Sequence, residues 1–273
     1  MDFAEIIYEK QDRIATVTMN RPERMNAWTQ HMGAEIKAAM TDADRDDSVR
    51  AIIVTGTGKA YCAGADMSAL ASMAQGTARA GIGRPEDNRW LDAHRADYRG
   101  QLSWVLALRK PVIAAINGAC VGLGFTKSLY YDIRIASEKA RLGLIFPQRG
   151  LAIEHGSSWM LPRIVGLTHA IDMAVTGRLL EAKEALAIGL VNHLVPDGQA
   201  LDKAREIALD ITRNCSPVAV MEGKRLAYEG LSCDLQTAVA SCGEATDRMY
   251  LSEDFKEGIK SFAERRPPRF TGR

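Results

Sequence analysis

Two apolar runs in this chain end in the same way, at a glycine turn. "VRAIIVTGTG" (49–58) and "RKPVIAAING" (109–118) each read as a buried strand running into tight backbone, and "DIRIAS" (132–137) is a third candidate strand. Such runs lack polar alternation, which is the pattern of strands covered on both faces. Helical segments lie between them. From His31 to Asp44, Met32, Ile36, Met40 and Ala43 fall on one helical face. Strands spaced by helices imply parallel pairing with helices outside, an α/β class of fold. "EIIYEK" and "RIATVTMN", separated by Gln11 and Asp12, predict an antiparallel hairpin at the start.

Beyond residue 195 the strand signals stop. "ALDKAREIALDITRN" is helical. Ser216-Pro217 is a helix start and Gly230 a stop, a second helix follows from Asp234, and a third begins at Ser252 with Phe255, Ile259 and Phe262 on one face. The expected organisation is an α/β core over 1–195 and a helical region over 196–273. Residues 67–103 are rich in Ala, Gly and Arg with weak periodicity, so a helix and a mobile loop both fit. No internal repeat stands out.

The chain has 273 residues and a net charge of +1, which points neither to a nucleic-acid face nor to an anionic membrane as the main partner. The longest apolar run, "PVIAAI", is far too short to cross a bilayer. Five scattered cysteines without C-x-x-C spacing argue against a disulfide framework and a zinc site. With no secretory signal visible in "MDFAEIIYEKQDR", the expected location is the cytoplasm.

"TGTGKAYCAGAD" and "NGACVGLGFTKS" both follow strands, yet neither has P-loop or dinucleotide spacing, and Lys127-Ser128 follows the wrong glycines. By pattern alone they are strand-to-helix turns. Such turns also expose backbone N–H groups, and two of them side by side can aim two donors at one oxygen. Nucleophilic signals are weak: Ser157 and Ser158 sit too close to His155 along the chain to face it, and no G-x-S-x-G is present. In "RGLAIEHGSSWMLPR", Glu154 lies between an apolar run and a Gly-Ser-Ser turn. Taken alone it reads as a solvated loop carboxylate; in an apolar cleft it would be a base. Trp90, Tyr98 and Trp104 read first as core and second as an acyl pocket.

Five segments in order resemble the crotonase superfamily of enoyl-CoA hydratases and isomerases: "NRPERMNAW", "AYCAGADMSAL", "KPVIAAINGACVGLGFTKSLYYDIRIAS", "TGRLLEAKEALAIGLVNHLVP" and "EGIKSFAERRPPRFTGR". The resemblance implies a spiral of ββα turns with C-terminal helices that pack into trimers, often paired as hexamers. It implies an acyl-CoA thioester whose oxygen sits between the backbone N–H groups of Ala65 and Leu123. Met25, Ala27, Ala63, Gly64, Asp66, Met67, Gly122 and Phe146 would flank CoA or the acyl group, and Phe262 and Arg265 the adenine or phosphate end. No separate cofactor is implied, since coenzyme A is part of the substrate.

The two glutamate positions of typical hydratases correspond to Thr126 and Phe146 here. Glu154, eight residues beyond Phe146, resembles the single glutamate of peroxisomal-type Δ3,Δ2-enoyl-CoA isomerases. That implies a one-base proton shuttle in a pocket kept dry by Phe146. Hydration or another enolate reaction with Glu154 as sole acid-base group, and a non-catalytic acyl-CoA-binding homologue, are the alternatives.

Overall fold

Each turn of the chain adds one strand to each of two sheets. The computed structural model describes residues 2–77, 91 and 94–273. A hairpin of β1 (Ile6–Gln11) and β2 (Ile14–Met19) comes first. Its two-residue turn is Asp12-Arg13, one position later than the sequence pattern predicts, and both residues have positive φ (53° and 65°). That backbone matches the twist of the flanking strands.

Helix α1 (Gln30–Arg45) is capped by Thr29, whose side chain accepts from the Met32 N–H, and it buries the predicted face of Met32, Ile36, Met40 and Ala43. Then the paired strands begin: β3 (Ala51–Gly56) with β4 (Ala60–Cys62), β5 (Val112–Ile116) with β6 (Ala119–Val121), and β7 (Ile133–Ser137) with β8 (Arg141–Gly143). The first member of each pair joins a six-stranded sheet of order β1-β2-β3-β5-β7-β10, with β10 at His193–Val195, and the second joins a four-stranded sheet of order β4-β6-β8-β9, with β9 at Leu180–Glu181. Between the pairs lie α2 (Met67–Ala74) and α3 (Leu123–Ser128). This is the expected α/β spiral.

The long strands are apolar on both faces because both are covered. Ile52 and Val54 of β3 face the main core with α1, while Ala51 and Ile53 face a second cluster. That cluster is closed by α6 (Ala200–Asn214) through Ala204 and Ala208. Small residues at this spacing let the helix lie close on the sheet. Helix α6 therefore belongs to the core layers, although it begins beyond the expected boundary at 195.

Helix α4 (Ser157–Thr176) starts at the predicted Gly-Ser-Ser turn, which the structure replaces with Gly156 as N-cap and Ser157 as first helical residue. It is bent at Gly166, where φ is 79°. Then come β9 (Leu180–Glu181), α5 (Ala182–Ala187) and β10 (His193–Val195). The tail is α7 (Pro217–Gly230), α8 (Leu235–Tyr250) and α9 (Glu253–Ala263), with Ser216, Asp234 and Ser252 as side-chain caps. Among the described residues no helix is long and apolar enough to cross a membrane. Part of 67–103, including Trp90, lies outside the described residues; α2 fills its beginning, and Tyr98 and Trp104 are buried in the core.

Candidate active site

Strands β4 and β6 run parallel, with Ala60 opposite Ala119 and Cys62 opposite Cys120. Each ends in small residues, Ala63-Gly64-Ala65 on one side and Gly122-Leu123-Gly124 on the other. The two turns touch through backbone. Gly64 (φ 99°) and Gly122 (φ 55°) adopt conformations that L side chains rarely take, and a Cβ on Gly64 would lie 3.2 Å from the Val121 carbonyl oxygen. A Cβ on Gly124 would lie 2.5 Å from the Cys62 Cβ and 2.7 Å from its Sγ. The glycines are thus the condition for the close approach of α3 to β4.

Ala65 forms an isolated parallel bridge with Trp28. The Trp28 N–H donates to the Gly64 carbonyl (2.7 Å), and the Asp66 N–H donates to the Trp28 carbonyl (3.0 Å). In that pattern the residue between the two bonded neighbours turns its own N–H to the opposite side. Leu123 opens α3, so its N–H precedes the first helical bond, from Thr126 N–H to the Gly122 carbonyl. Among the described residues neither the Ala65 nor the Leu123 N–H has a backbone acceptor.

The first turn is braced by the loop before it. Asn26, fully buried at φ 53°, accepts from the Arg21 N–H and donates to the Thr57 and Ala60 carbonyls. The Ala63 N–H donates to the Met25 carbonyl (3.1 Å), and Arg21 Nη1 donates to the Ala27 carbonyl (2.7 Å) and Asp66 Oδ2 (3.0 Å). The Ser68 hydroxyl and N–H on its other oxygen, with Arg21, hold the Asp66 carboxyl below its ordinary range. Met25 and Met67 are exposed beside this loop, at 47% and 67%. Met25, Ala27, Ala63, Gly64, Asp66 and Met67 are therefore one neighbourhood, and Asn26, inside the "NRPERMNAW" segment but given no role by it, is its buried brace.

The Glu154 segment is tied to α3 at two places. Ile145 packs near Gly122, where a glycine Cβ would lie 3.9 Å from its Cγ1. Phe146 is buried, and its carbonyl accepts from the Arg149 and Leu151 N–H groups. At the far end the Tyr130 hydroxyl donates to the His155 carbonyl. Ser157 donates its N–H and hydroxyl to the Glu154 carbonyl (3.0 and 2.8 Å), so this hydroxyl is structural. The Glu154 carboxylate lies 3.6 Å from His155 Nε2 and its side chain is 38% exposed. The closed, dry setting expected for it is not formed among the described residues. Phe262 is 87% exposed and Arg265 is exposed at the end of α9, so neither covers the paired turns here.

The sequence marks Lys127 only as a lysine that follows glycines of the wrong spacing for a P-loop. Its Nζ is buried without a hydrogen-bond partner among the described residues, 4.5 Å from the Trp28 ring centroid and 5.2 Å from that of Trp104. Burial pulls its amine down to about 7. Ring faces oppose that pull, since a desolvated cation–π contact is worth about 2 kcal/mol or more. The Thr126 hydroxyl beside it is also buried and unpartnered.

A cavity of about 300 Å³ lies elsewhere, between the 94–109 segment and helices α7 and α8; neither turn lines it. Among the described residues no cluster of His, Cys, Asp and Glu could hold a metal ion.

A two-sheet spiral whose strand-end glycine turns meet side by side is the frame that the crotonase resemblance implies. The enoyl-CoA hydratase/isomerase family model matches residues 9–273, and the chain belongs to that family. Enoyl-CoA hydratase ACTT3 of Alternaria alternata is 37% identical over 261 residues, 95% of this chain and 83% of the relative. The short-chain-enoyl-CoA hydratase of Clostridium acetobutylicum is 36% identical over 271 residues, 97% of each chain. The crystal structure of enoyl-CoA hydratase from Mycobacterium tuberculosis H37Rv superposes with a TM-score of 0.86 at 33% identity, covering 98% of this chain and 99% of that one.

Proposed function

We propose that this enzyme shifts the double bond of an enoyl-CoA, holding the thioester oxygen at the Ala65 and Leu123 N–H groups and moving the proton with Glu154. The carboxylate abstracts a C2 proton from a 3-enoyl-CoA. The electron pair of the C–H bond spreads over the dienolate, and its charge rests on the thioester oxygen. The protonated Glu154 returns the proton at C4, leaving the double bond between C2 and C3. Nothing is oxidised or reduced, so this reading calls for no redox cofactor, and coenzyme A arrives with the substrate.

The observation that carries this reading is the contrast between two carboxylates. Asp66 is engaged by Arg21 and Ser68, whereas the Glu154 carboxylate has an ion-pair contact with His155 alone among the described residues. Thr126 and Phe146, at the positions of the hydratase glutamates, supply no second carboxylate. Partial exposure of Glu154 fits a site that substrate, or a neighbouring copy of the chain, completes. In that arrangement Phe262 and Arg265 of the 196–273 region would meet the nucleotide end of CoA.

Hydration is the second reading, favoured by the hydratase names of the curated relatives. Steady-state assays on 3-enoyl-CoA and 2-enoyl-CoA separate the two. Isomerisation should dominate, and Glu154→Gln should lower it by about 10²-fold or more. Faster hydration would replace the first reading with the second, and unchanged isomerisation in Glu154→Gln would remove Glu154 as the base.

A further inference from the structure

We propose that Lys127 is a positioning residue for the pair of backbone donors: its side chain ties the helix that begins at Leu123 to the bridge that presents Ala65. This rests on the reading of Ala65 and Leu123 as the oxyanion site.

Lys127 lies one turn after Leu123 in α3, so its Cα moves with that donor. Its ammonium sits on the Trp28 ring at 4.5 Å. Trp28 in turn makes both backbone hydrogen bonds that flank Ala65 and turn the Ala65 N–H outward. The indole has little room to move, because a Cβ on Gly33 of α1 would lie 2.9 Å from its Cζ2. On the other side the ammonium meets the Trp104 ring at 5.2 Å, and Trp104 is 2% exposed. One side chain thus joins the two strand-end turns through rigid, buried partners.

A core-filling role does not account for the amine. An aliphatic side chain of similar length fills the same volume without the penalty of burying a charge. What an ammonium adds is attachment to a ring face. No hydrogen bond competes for Nζ among the described residues. The placement of Lys127 is therefore set by Trp28 and Trp104, and the spacing of the two donors by Lys127.

The test compares Lys127→Met and Trp28→Phe with the full-length wild-type enzyme at pH about 6, below the value of about 7 to which burial lowers the Lys127 amine, so that the amine carries its proton. The readouts are melting temperature, kcat, KM, and the infrared carbonyl stretch of a bound saturated acyl-CoA labelled with ¹³C at the thioester carbon. Donors aimed at the oxygen shift that stretch to lower frequency. In Lys127→Met the melting temperature should hold or rise, since a buried charge is removed. Its kcat should fall about tenfold to a hundredfold, the scale of a misplaced site, with KM within about twofold. The carbonyl shift should shrink in parallel. Trp28→Phe keeps a ring in place and should show the same changes to a smaller degree; it carries the test should Lys127→Met fail to fold.

Wild-type kcat and carbonyl shift in the variants would overturn the proposal. So would losses of kcat that only track losses of melting temperature. A wild-type enzyme that does not shift the bound carbonyl at all would sink the oxyanion reading itself, and this inference with it. A shift present in wild type and kept in both variants would sink the role of Lys127 alone.

Discussion

The hydroxyl of Tyr130 donates to the carbonyl of His155, and the glycine that follows, Gly156, has no room for a side chain because that same hydroxyl fills the space. Tyr130 comes directly after α3 and its C-cap Leu129, whereas His155 neighbours the candidate base. The contact is therefore a short route between the donor that opens α3 and the carboxylate that would move the proton.

A double-mutant cycle reads this contact. Gly156→Ala should destabilise the wild type by more than the roughly 1 kcal/mol of a strained positive φ, because the new methyl collides with the Tyr130 hydroxyl. In a Tyr130→Phe background the collision is gone and only the backbone strain remains. Tyr130→Phe alone should cost about 1 kcal/mol for the lost hydrogen bond and lower kcat more than it alters KM. Urea denaturation of the four proteins checks the cycle; strictly additive energies would mean that the hydroxyl does not occupy that space.

Gly124→Ala tests the approach of the two turns. A Cβ there meets Cys62 Cβ at 2.5 Å and the Cys62 carbonyl oxygen at 2.8 Å. Overpacking of this kind costs about 1–3 kcal/mol. It should also push α3 away from β4, separating Leu123 from Ala65 and lowering kcat. Adding Cys62→Gly removes the side-chain clash but not the carbonyl contact, so stability should return only in part. Full activity in Gly124→Ala would show that the spacing of the two turns does not matter.

What the sequence discloses follows from how local the causes are. Helices α6 to α9 were visible because Ser216, Asp234 and Ser252 cap the last three locally and each helix has its own apolar face. The long strands were visible as apolar runs. The second member of each strand pair was not, since Ala60–Cys62, Ala119–Val121 and Arg141–Gly143 are too short for any period to register. With them went the repeat that makes the spiral. Helix α4 was hidden because Pro162 and Gly166 interrupt its pattern. At the site, the backbone donors came from the resemblance, not from side-chain chemistry. Lys127 stayed hidden because its partners, Trp28 and Trp104, are far away along the chain.

Lys127 also sets a pH dependence of stability. Its amine is pulled to about 7 in the native state from an ordinary 10.5, chiefly by burial, with the Cys62 thiol and Lys37 the ionisable groups that act on it. Between those values the unfolded chain binds a proton that the native chain does not, so the native state gains stability as pH rises through that window. Lys127→Met abolishes this contribution. Its stability advantage over wild type should be largest at pH about 6 and should have mostly vanished by pH about 10. Urea midpoints at the two pH values decide it, and an advantage independent of pH would place the amine in its ordinary range.

The far end of α4 presents an apolar stripe without cover. Leu167, Ile171 and Val175 follow the Gly166 bend at four-residue spacing and are 66%, 54% and 69% exposed. Residues at that spacing share one helical face. Exposed apolar faces, when contiguous, are a mark of interaction surfaces. The trimer that the family resemblance implies would bury such a stripe between copies of the chain. Light scattering should then give a multiple of the 29.9 kDa chain mass for the wild type. Ile171→Glu, which sets a carboxylate in the middle of the stripe, should shift the species toward the monomer while leaving the far-ultraviolet circular dichroism unchanged. If Glu154 is completed by a neighbouring copy, the dissociated variant should also lose activity and regain it with rising protein concentration. A wild-type monomer at micromolar concentration, or an Ile171→Glu variant with unchanged mass, would show that this stripe is not what joins the copies.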